Sequence, residues 1–164
     1  MSKHAGKHTD KKTNAMRELD RAEQPYVAHW FECPEALSGV EVAHMLGEDP
    51  DCVFKTLVTV GKSGEHYVFM IPVALELDLK KAASVVGEKS IAMVKSKELL
   101  GLTGYVHGGC SPLGMKKRFV TTIDESASLY EQIFFSGGKI GCQIETSLDA
   151  LKAALPVQEA DVTA

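Results

Sequence analysis

Several classes of protein are excluded by what this sequence has little of. Its 4 cysteines include no CxxC pair and lie far apart, at Cys33, Cys52, Cys110 and Cys142. A domain of 164 residues buries about 70% of the surface of its unfolded chain, so it needs neither disulfides nor a structural metal. With 45% hydrophobic and 24% charged residues, the chain is neither disordered nor collagen-like. We therefore expect free thiols, a reducing cytoplasmic setting and no metal site.

The sequence also lacks a long apolar run and an excess of positive charge. No segment approaches the ~20 apolar residues of a membrane-spanning helix, so no membrane partner is expected. Residues 1–12 are polar and basic and lack the apolar core of a secretory signal. The formal net charge of -4 excludes an overall basic surface for nucleic acid. A local basic patch stays open, because binding follows the local potential.

The order of polar and apolar segments predicts one domain over residues 13–156. Residues 1–12 are expected to form a flexible basic arm, and residues 157–164 a frayed C-terminal tail. Capping residues followed by apolar residues at helical spacing predict five helices. These helices span 13–24, 38–46, 78–86, 96–100 (with Gly101 just past its end) and 147–155.

Short apolar segments with high β-propensity predict six to seven strands. They span 26–31, 53–60, 66–71, 90–94, 119–123, 133–136 and 140–145. A glycine-containing turn at 61–64 joins two of them as an antiparallel hairpin, which excludes a purely parallel sheet. We expect an α+β fold in which helices pack around one curved mixed sheet.

One lysine lies within a strongly apolar strand. Alternation places Lys55 on the same face as Val53 and Leu57. An unpaired charge buried among such residues is costly, so the ammonium group must reach solvent, a partner or a ligand. The pattern alone is compatible with a lysine that binds a ligand and equally with a lysine near a strand edge that reaches solvent.

Two glycine-rich segments are candidates for presenting backbone N–H groups to an anion. The first is 108–114, which is followed by the basic residues 116–118, and the second is 135–141. Neither has the spacing of a Walker loop or of a dinucleotide fingerprint. Cys110 follows His107 closely, so this thiol is either a nucleophile or an inert side chain.

Four short motifs follow one another along the chain. They are Val53-Phe54-Lys55-Thr56-Leu57, Leu77-Asp78-Leu79-Lys80-Lys81, the segment 108–114 with Lys116-Lys117-Arg118, and Ser136-Gly137-Gly138-Lys139. In this order and spacing, over residues 13–155, the chain resembles the YbaK/EbsC family of free-standing aminoacyl-tRNA deacylases. That family is related to the editing domain inserted in bacterial prolyl-tRNA synthetases. Within it, the resemblance is to the branch that acts on Cys-tRNA(Pro).

The resemblance implies an editing-domain fold, no cofactor, and hydrolysis of an amino acid wrongly esterified to the 3′ end of tRNA(Pro). It places Lys55 at the centre of the site, with Gly108 and Pro112 as a Gly-x-x-x-Pro motif at the substrate carbonyl and the terminal adenosine. The implied substrate-binding residues are Phe31, Thr56, Gly109, Cys110, Ser111, Ser136, Gly137, Gly138 and Gln143. Those expected to meet tRNA are Lys80, Lys81, Lys116, Lys117, Arg118 and Lys139.

The chemistry implied for the Cys-tRNA(Pro) branch needs no protein nucleophile. The cysteinyl thiol of the substrate attacks its own ester and leaves as a thiolactone. The protein then has to hold the 3′ end and stabilise the tetrahedral oxyanion. Lys55 can supply the positive charge.

Two positions depart from the family pattern and keep further functions open. Phe31 stands where the branch tends to have a tyrosine, and Gln143 stands where it has an aspartate. Because the lost charge could have paired with the substrate ammonium, a sibling deacylase for Ala, Ser or Thr esters stays open. A non-catalytic module that binds a nucleotide or aminoacyl ester also stays open, as does a metal-dependent hydrolase. Since the chain has little positive charge, prolyl-tRNA synthetase is a candidate partner that would supply tRNA affinity.

Overall fold

A computed structural model describes residues 11–32 and 36–164. Most of the expected N-terminal arm, and Cys33, lie outside the described residues. Within them, no helix is long and apolar enough to cross a membrane. In chain order the elements are α1 (Asn14–Arg21), β1 (Val27–Trp30), α2 (Gly39–Leu46), β2 (Phe54–Gly61), β3 (His66–Pro72), α3 (Leu79–Val86), β4 (Ile91–Met93), α4 (Ser96–Thr103), β5 (Val120–Asp124), β6 (Ile133–Ser136), β7 (Cys142–Thr146), α5 (Leu148–Ala154) and β8 (Val157–Ala160).

Four helices begin at the capping residues that the sequence predicted. The side-chain oxygens of Thr13, Ser38, Asp78 and Ser147 accept N–H groups from the first turns of α1, α2, α3 and α5. Such a cap typically stabilises a helix by about 1 kcal/mol relative to alanine, because it satisfies a backbone donor that the helix cannot. Helix placement therefore follows from local chemistry.

The described strands form two sheets. Three antiparallel strands are ordered β1-β7-β6, and five are ordered β4-β2-β3-β5-β8. The predicted hairpin is confirmed, since β2 and β3 pair antiparallel with Thr56 opposite Met70 and Val60 opposite His66. β5 adds to β3 in parallel, so the larger sheet is mixed. The two sheets touch at a bridge between Val53 and Phe134, just before β2 begins.

The sheet count and the C-terminal segment differ from the expectation. Eight strands in two sheets replace six to seven strands in one. The additional strand is β8, which pairs in parallel with β5 where a frayed tail was expected. Beyond it, Val162 is fully buried, and its N–H donates to the Asp124 carboxylate. The sequence did not predict this strand, because it follows Pro156, contains polar residues and depends on pairing with the distant strand β5.

Helix α4 is also longer than predicted. The expected end at Gly101 was wrong, because the helix continues to Thr103 and stops at Gly104 in the left-handed conformation (φ 84°). Gly101 is exposed, and a Cβ atom there would meet no atom within 4 Å. A glycine inside a helix costs about 1 kcal/mol relative to alanine, and the sequence does not distinguish such a glycine from a true cap.

Two apolar layers lie on opposite faces of the five-stranded sheet. On one face, Phe69 and Ile71 of β3 pack against α3 and Val162. On the other face, Met70 packs into a core shared with α1, α5 and the three-stranded sheet, while Val68 contacts α4 and Cys110. Alternation along β3 produces this division. The second face therefore carries both the smaller sheet and the first glycine-rich segment.

Candidate functional site

A cavity of about 350 Å³ lies beside β2 where the two sheets meet. This volume is within the range of about 300–1,000 Å³ found for small-molecule sites. Its walls come from β2, from the N-terminal ends of α2 and α4, and from the first glycine-rich segment. Of the residues predicted for the site, the cavity is lined by Lys55, Thr56, Gly108, Cys110, Ser136 and Gln143.

Strand β2 borders the cavity with its edge. The neighbouring strand β4 pairs only with Thr59–Gly61, and the Val94 N–H donates to the Val58 carbonyl, so residues 54–57 have no strand beside them on that side. Consecutive residues from both faces of β2, including Lys55 and Thr56, therefore line the space. For Lys55, the strand edge and the wall of the cavity coincide.

Lys55 is half-buried and lies beside neutral side chains. Among the described residues, none of the ion pairs or hydrogen bonds includes its ammonium group, and the other titratable side chains that line the cavity are His107 and Cys110. A positive charge without a counter-ion at the wall of a largely apolar cavity favours an anionic or strongly polar ligand.

Two buried oxygen atoms at the same cavity have no hydrogen-bond partner in the described part of the chain. They are Thr56 Oγ1 and Gln143 Oε1, and the Gln143 side chain belongs to a residue that is only 8% exposed. Leaving such groups unsatisfied costs about 1–3 kcal/mol each. Exceptions of this kind are expected where a ligand supplies the missing partner. Gln143 is held opposite Ser136 by the β6–β7 ladder.

The two glycine-rich segments meet at the cavity, as the sequence could suggest but not show. A Cβ atom on Gly109 would lie 2.9 Å from the Ile140 backbone nitrogen, so the second segment packs directly on the first. Gly108 lines the cavity with a φ of 88° and leaves no room for a side chain, since its Cβ would lie 2.6 Å from Ala36 Cβ. Both positions therefore require glycine, because neighbouring atoms lie too close to leave room for a Cβ atom.

Several residues predicted to touch the substrate lie behind the walls instead. The Gly109 N–H donates to the Val106 carbonyl, so it is not available to an anion. Ser111 is fully buried, and its hydroxyl accepts the Leu113 N–H. Pro112 borders a separate small cleft with Lys117 and Arg118, and it does not line the cavity. These residues shape the loop.

The second glycine turn and Phe31 also have supporting positions. The Gly137 N–H donates to the Cys142 carbonyl, and the Gly138 N–H donates to Ser136 Oγ. Gly138 adopts a φ of 100° against the ring of Tyr105. The Phe31 N–H donates to the Gly141 carbonyl, and its side chain does not line the cavity. Ser136 is thus the member of this turn that lines the cavity.

A thiol nucleophile is not supported. Burial raises the pKa of the Cys110 thiol to about 12, and burial likewise raises the pKa of Cys142 to about 12. A reactive thiol needs a lowered pKa, because the thiolate is the nucleophile. Both cysteines are protonated at neutral pH. Among residues 11–32 and 36–164, no three His, Cys, Asp or Glu side chains are grouped to hold a metal ion.

The basic residues predicted to meet tRNA do not form one surface. Lys116, Lys117 and Arg118 follow the first glycine-rich segment and are exposed. Lys80 and Lys81 begin α3, which packs on the opposite face of the five-stranded sheet. Lys81 is held by Asp161 at 3.0 Å and by the Thr163 carbonyl at 2.8 Å, so its ammonium group has a structural role. The fold separates these two groups.

Lys139 lies exposed in the second glycine turn, close to where that turn packs on Gly109. It therefore lies on the same side of the fold as the first glycine-rich segment, which residues 116–118 follow. Of the six predicted cations, four belong to the glycine-rich side of the molecule.

Sequence reasoning missed part of the cavity wall. Ser38 and Ser96, at the N-terminal ends of α2 and α4, line it, as do apolar residues of β4 and α4 that include Met93 and Leu99. The Ser38 capping box was visible in the sequence, but its use here was not. Helix N-termini favour anions, but at each of these two ends a capping-box carboxylate, Glu41 or Glu98, already accepts a backbone N–H.

The sequence model of the aminoacyl-tRNA editing domain matches residues 33–154. The chain belongs to this family. The resemblance drawn from the four motifs is thus confirmed, and so is the expected enzyme class, an aminoacyl-tRNA editing hydrolase. The matched region contains every wall of the cavity.

Two similar proteins and one solved structure extend this result. The chain is 44% identical over 160 residues, 97% of its length and 98% of the relative, to "Putative Cys-tRNA(Pro)/Cys-tRNA(Cys) deacylase EbsC" of Enterococcus faecalis. It is 32% identical over 91 residues, 56% of the chain and 16% of the relative, to a proline–tRNA ligase of Pelobacter propionicus. The crystal structure of hypothetical protein APE2540 shares the fold, with a TM-score of 0.85 at 22% identity, covering 93% of this chain and 100% of that one. The predicted α+β editing-domain fold is confirmed.

Proposed function

We propose that the protein hydrolyses the ester of a mischarged tRNA(Pro), with the cysteinyl ester as its main substrate. The observation that supports this most strongly is the cavity that holds Lys55 together with two unsatisfied buried oxygens, Thr56 Oγ1 and Gln143 Oε1. A small polar ligand would supply the partners that this charge and these oxygens lack. Family membership and a relative named as a Cys-tRNA deacylase indicate that this ligand is an aminoacyl ester.

Lys55 is proposed as the catalytic group that binds the reacting end of the tRNA. An ammonium group is a compact charge that can neutralise the terminal phosphate or the oxyanion of the tetrahedral intermediate. The neutral cavity wall lowers the local dielectric and strengthens that interaction. No neighbouring carboxylate in the described structure competes for it.

The rest of the cavity wall positions the ester. Gly108 brings the backbone to the cavity without a side chain, and Ser38 and Ser96, at the N-terminal ends of α2 and α4, add two hydroxyl groups to its wall. Pro112 acts indirectly, by shaping the loop that carries Gly108. Five other predicted residues also act indirectly, by supporting the walls of the cavity: Phe31, Gly109, Ser111, Gly137 and Gly138.

The nucleophile comes from outside the protein. Because the pKa of Cys110 is about 12, that thiol does not attack the ester at neutral pH. Either water adds to the carbonyl, or the thiol of a cysteinyl substrate attacks its own ester and leaves as a thiolactone. In both cases the tRNA 3′-oxygen leaves and takes up a proton, and free 3′-hydroxyl tRNA is released. Because an aminoacyl ester is already activated, this route needs no nucleophile from the protein once the ester is correctly positioned.

Selection of the amino acid is proposed to depend on Gln143. Its amide is neutral, so it supplies a hydrogen bond to the substrate without a full counter-charge. Differences of one methylene are worth only about 1–3 kcal/mol in such a cavity. Ala, Ser and Thr esters are therefore the competitors to compare with Cys.

Recognition of the tRNA body is proposed to involve Lys116, Lys117, Arg118 and Lys139. With a net charge of -4, the protein gains limited affinity from phosphate contacts alone. We further propose that prolyl-tRNA synthetase is the partner that supplies the remaining affinity, in the cytoplasm, since 91 residues of the chain match a proline–tRNA ligase. Co-purification of the two proteins in the presence of tRNA(Pro) tests this, and no association with or without tRNA contradicts it.

The decisive experiment is deacylation of tRNA(Pro) charged with Cys, Ala, Ser or Pro by the wild type, by Lys55→Ala and by Lys62→Ala. Lys62 is an exposed lysine in the β2–β3 turn and serves as the matched control. We expect the Cys ester to be released fastest, Lys55→Ala to lower kcat/KM at least ~100-fold, as for groups that stabilise developing charge, and Lys62→Ala to match the wild type.

Thermal unfolding of each variant separates lost chemistry from lost folding. One outcome is that the folded wild type binds all four esters stoichiometrically and releases no amino acid from any of them. That result would show that the protein is a binding module and not an enzyme. Release of the Ala or Ser ester in preference to Cys would keep the enzyme and change its substrate.

A further inference from the structure

A hydrogen-bonded side-chain pair lies next to the cavity on the three-stranded sheet. Alternation along β7 turns Cys142 and Ile144 towards the core shared with α1 and α5, so Gln143 and Glu145 share the opposite face. On β1, His29 stands directly opposite Gln143, and its Nε2 atom lies 2.8 Å from Glu145 Oε1. Gln143 lines the cavity, whereas His29 and Glu145 do not. The pair is therefore adjacent to a wall residue without belonging to the wall.

The His29 ring extends across the middle strand of this sheet. The outer strands β1 and β6 are about 9–10 Å apart, because neighbouring strands are spaced by about 4.8 Å. The centroid of the His29 ring is nevertheless only 5.6 Å from that of Phe134 on β6. His29 starts opposite Gln143, and Phe134 stands opposite Glu145. The ring therefore passes over β7 between Gln143 and Glu145.

This arrangement limits the directions open to the Gln143 side chain. Ser136 stands opposite Gln143 on β6 and His29 stands opposite it on β1. Residues directly opposite each other in an antiparallel pair have Cβ atoms about 4.5–5.5 Å apart, close enough for their side chains to touch. The Gln143 Oε1 atom is buried and has no hydrogen-bond partner among the described residues. Its direction therefore depends on packing, and His29 is the larger of its two cross-strand neighbours.

We propose that His29 and Glu145 act as a positioning pair, which turns the Gln143 carboxamide towards the cavity and so controls the selection among aminoacyl esters. A carboxylate only accepts hydrogen bonds, so His29 Nε2 carries the proton and donates it to Glu145. The ring held in this way fills the space into which Gln143 would otherwise turn. The inference rests on the proposed function, because the pair acts through the role given there to Gln143.

Hydrolysis of the cysteinyl and alanyl esters of tRNA(Pro) by variants of the full-length protein tests this. We expect Gln143→Ala to change the ratio of the two kcat/KM values about tenfold, the effect of one hydrogen bond. His29→Ala should change the ratio several-fold in the same direction. The double variant should change it no more than Gln143→Ala does, since His29 acts through that side chain. Additive effects of the two substitutions would overturn the proposal.

Two variants of Glu145 separate positioning from charge. Glu145→Gln keeps an acceptor for His29 Nε2–H, so its ratio should stay close to that of the wild type, whereas Glu145→Ala should match His29→Ala. Equal changes in both Glu145 variants would indicate a direct effect of the carboxylate charge and overturn the positioning role. Because the Glu145 variants keep the ring, they decide the matter even where His29→Ala does not fold, which thermal unfolding shows.

Val27→Ala is the matched control. Val27 precedes His29 by two residues on the same face of β1, stands opposite Glu145 and is 53% exposed. Its truncation should leave the ratio of kcat/KM values unchanged. The same change in ratio for Val27→Ala as for His29→Ala would attribute the effect to the edge strand as a whole and overturn the assignment to the pair.

Failure of this inference can be told apart from failure of the proposed function. The amides 3′-cysteinylamino-3′-deoxyadenosine and 3′-alanylamino-3′-deoxyadenosine, which resist hydrolysis, are titrated against the same variants. If the esters are hydrolysed and either His29→Ala or Gln143→Ala leaves the kcat/KM ratio unchanged, the pair is overturned while the enzyme stands. If no ester is hydrolysed but the ratio of the two Kd values responds as expected, the enzyme is overturned and the pair stands. Without hydrolysis, binding that lacks this response, or no binding at all, rejects both.

Discussion

Thr56 and Thr59 stand three residues apart on β2 and have opposite surroundings. Thr59 is fully buried, and its hydroxyl donates to the Tyr67 carbonyl at 2.9 Å in a segment paired on both sides. Thr56 has a buried hydroxyl with no partner in the described chain, in a segment open on one side. The same residue type is therefore structural at one end of the strand and available to a ligand at the other.

The comparison shows where buried polar groups of this fold lack the hydrogen-bond partners that such groups ordinarily have. Near the hairpin turn, β2 is sealed between β3 and β4, and its polar atoms pair internally. Towards its start, the neighbouring strand is missing and polar atoms stay unpaired. Natural domains keep few such groups, so their concentration at one cavity with Lys55 indicates a site selected for binding rather than stability.

Among the predictions that follow from this contrast, we expect the largest changes in stability and activity when each threonine is replaced with valine. Thr56→Val removes an unsatisfied hydroxyl, so the free energy of unfolding should stay equal or rise by up to about 1 kcal/mol, while kcat/KM for the ester falls about tenfold. Thr59→Val should lower the free energy of unfolding by about 1–2 kcal/mol and leave kcat/KM unchanged. Denaturant unfolding and deacylation rates measure both. A Thr56→Val protein that is less stable and fully active would remove the distinction.

A second prediction contrasts two lysines on the two sides of the five-stranded sheet. Lys117→Ala should lower the slope of log Kd for tRNA(Pro) against log salt by about one, because one phosphate contact is lost. Lys81→Ala should leave that slope unchanged and lower the Tm, since its partner is Asp161. Filter binding at several salt concentrations provides the slopes. Equal slopes for wild type and Lys117→Ala would exclude the phosphate contact.

The last prediction concerns stability at alkaline pH and involves no change in activity at neutral pH. Burial raises the pKa of Cys110, Cys142 and Tyr105 to about 12 in the folded protein, above the ordinary values of 9.0 for the thiols and 10.0 for the phenol. The folded state therefore keeps protons that the unfolded state releases, and stability is complete below pH 9 and declines from there towards pH 12.

Thermal melts between pH 8 and 11 measure this decline. Cys110→Ala combined with Cys142→Ala should reduce its steepness, because the two buried thiols no longer contribute. A Tm that is flat across this interval, or that rises with pH, would contradict the assigned burial of these groups.

Local chemistry explains which parts of the fold could be predicted. Caps at Thr13, Ser38, Asp78 and Ser147 identify helix starts because a side chain and a nearby N–H suffice. The hairpin followed from its turn. In contrast, β8 depends on pairing with a strand more than thirty residues earlier, and α4 continues through Gly101 because an exposed glycine tolerates helical geometry.

The sequence predicted part of the lining of the cavity. Lys55, Gly108 and Gln143 were singled out from the sequence and do line one cavity. Two further polar wall residues, Ser38 and Ser96, were not predicted for the cavity. The capping box at Ser38 predicted only a helix start, because a local pattern does not show which space a helix end borders. Pro112 shows the converse, since a motif position can act through the shape of a loop without bordering the cavity.

The open stretch of β2 has a further consequence for the behaviour of the protein in concentrated solution. Unpaired strand edges are templates on which other chains can add a strand and aggregate. Here the unpaired stretch covers four residues, 54–57, and lies within a cavity of about 350 Å³ rather than along an outer rim of the sheet. The bridge at Val53 and strand β4 close this stretch at its two ends, which leaves little length for an added strand. The enclosure that admits a small ligand thereby also protects the molecule from self-association through this strand.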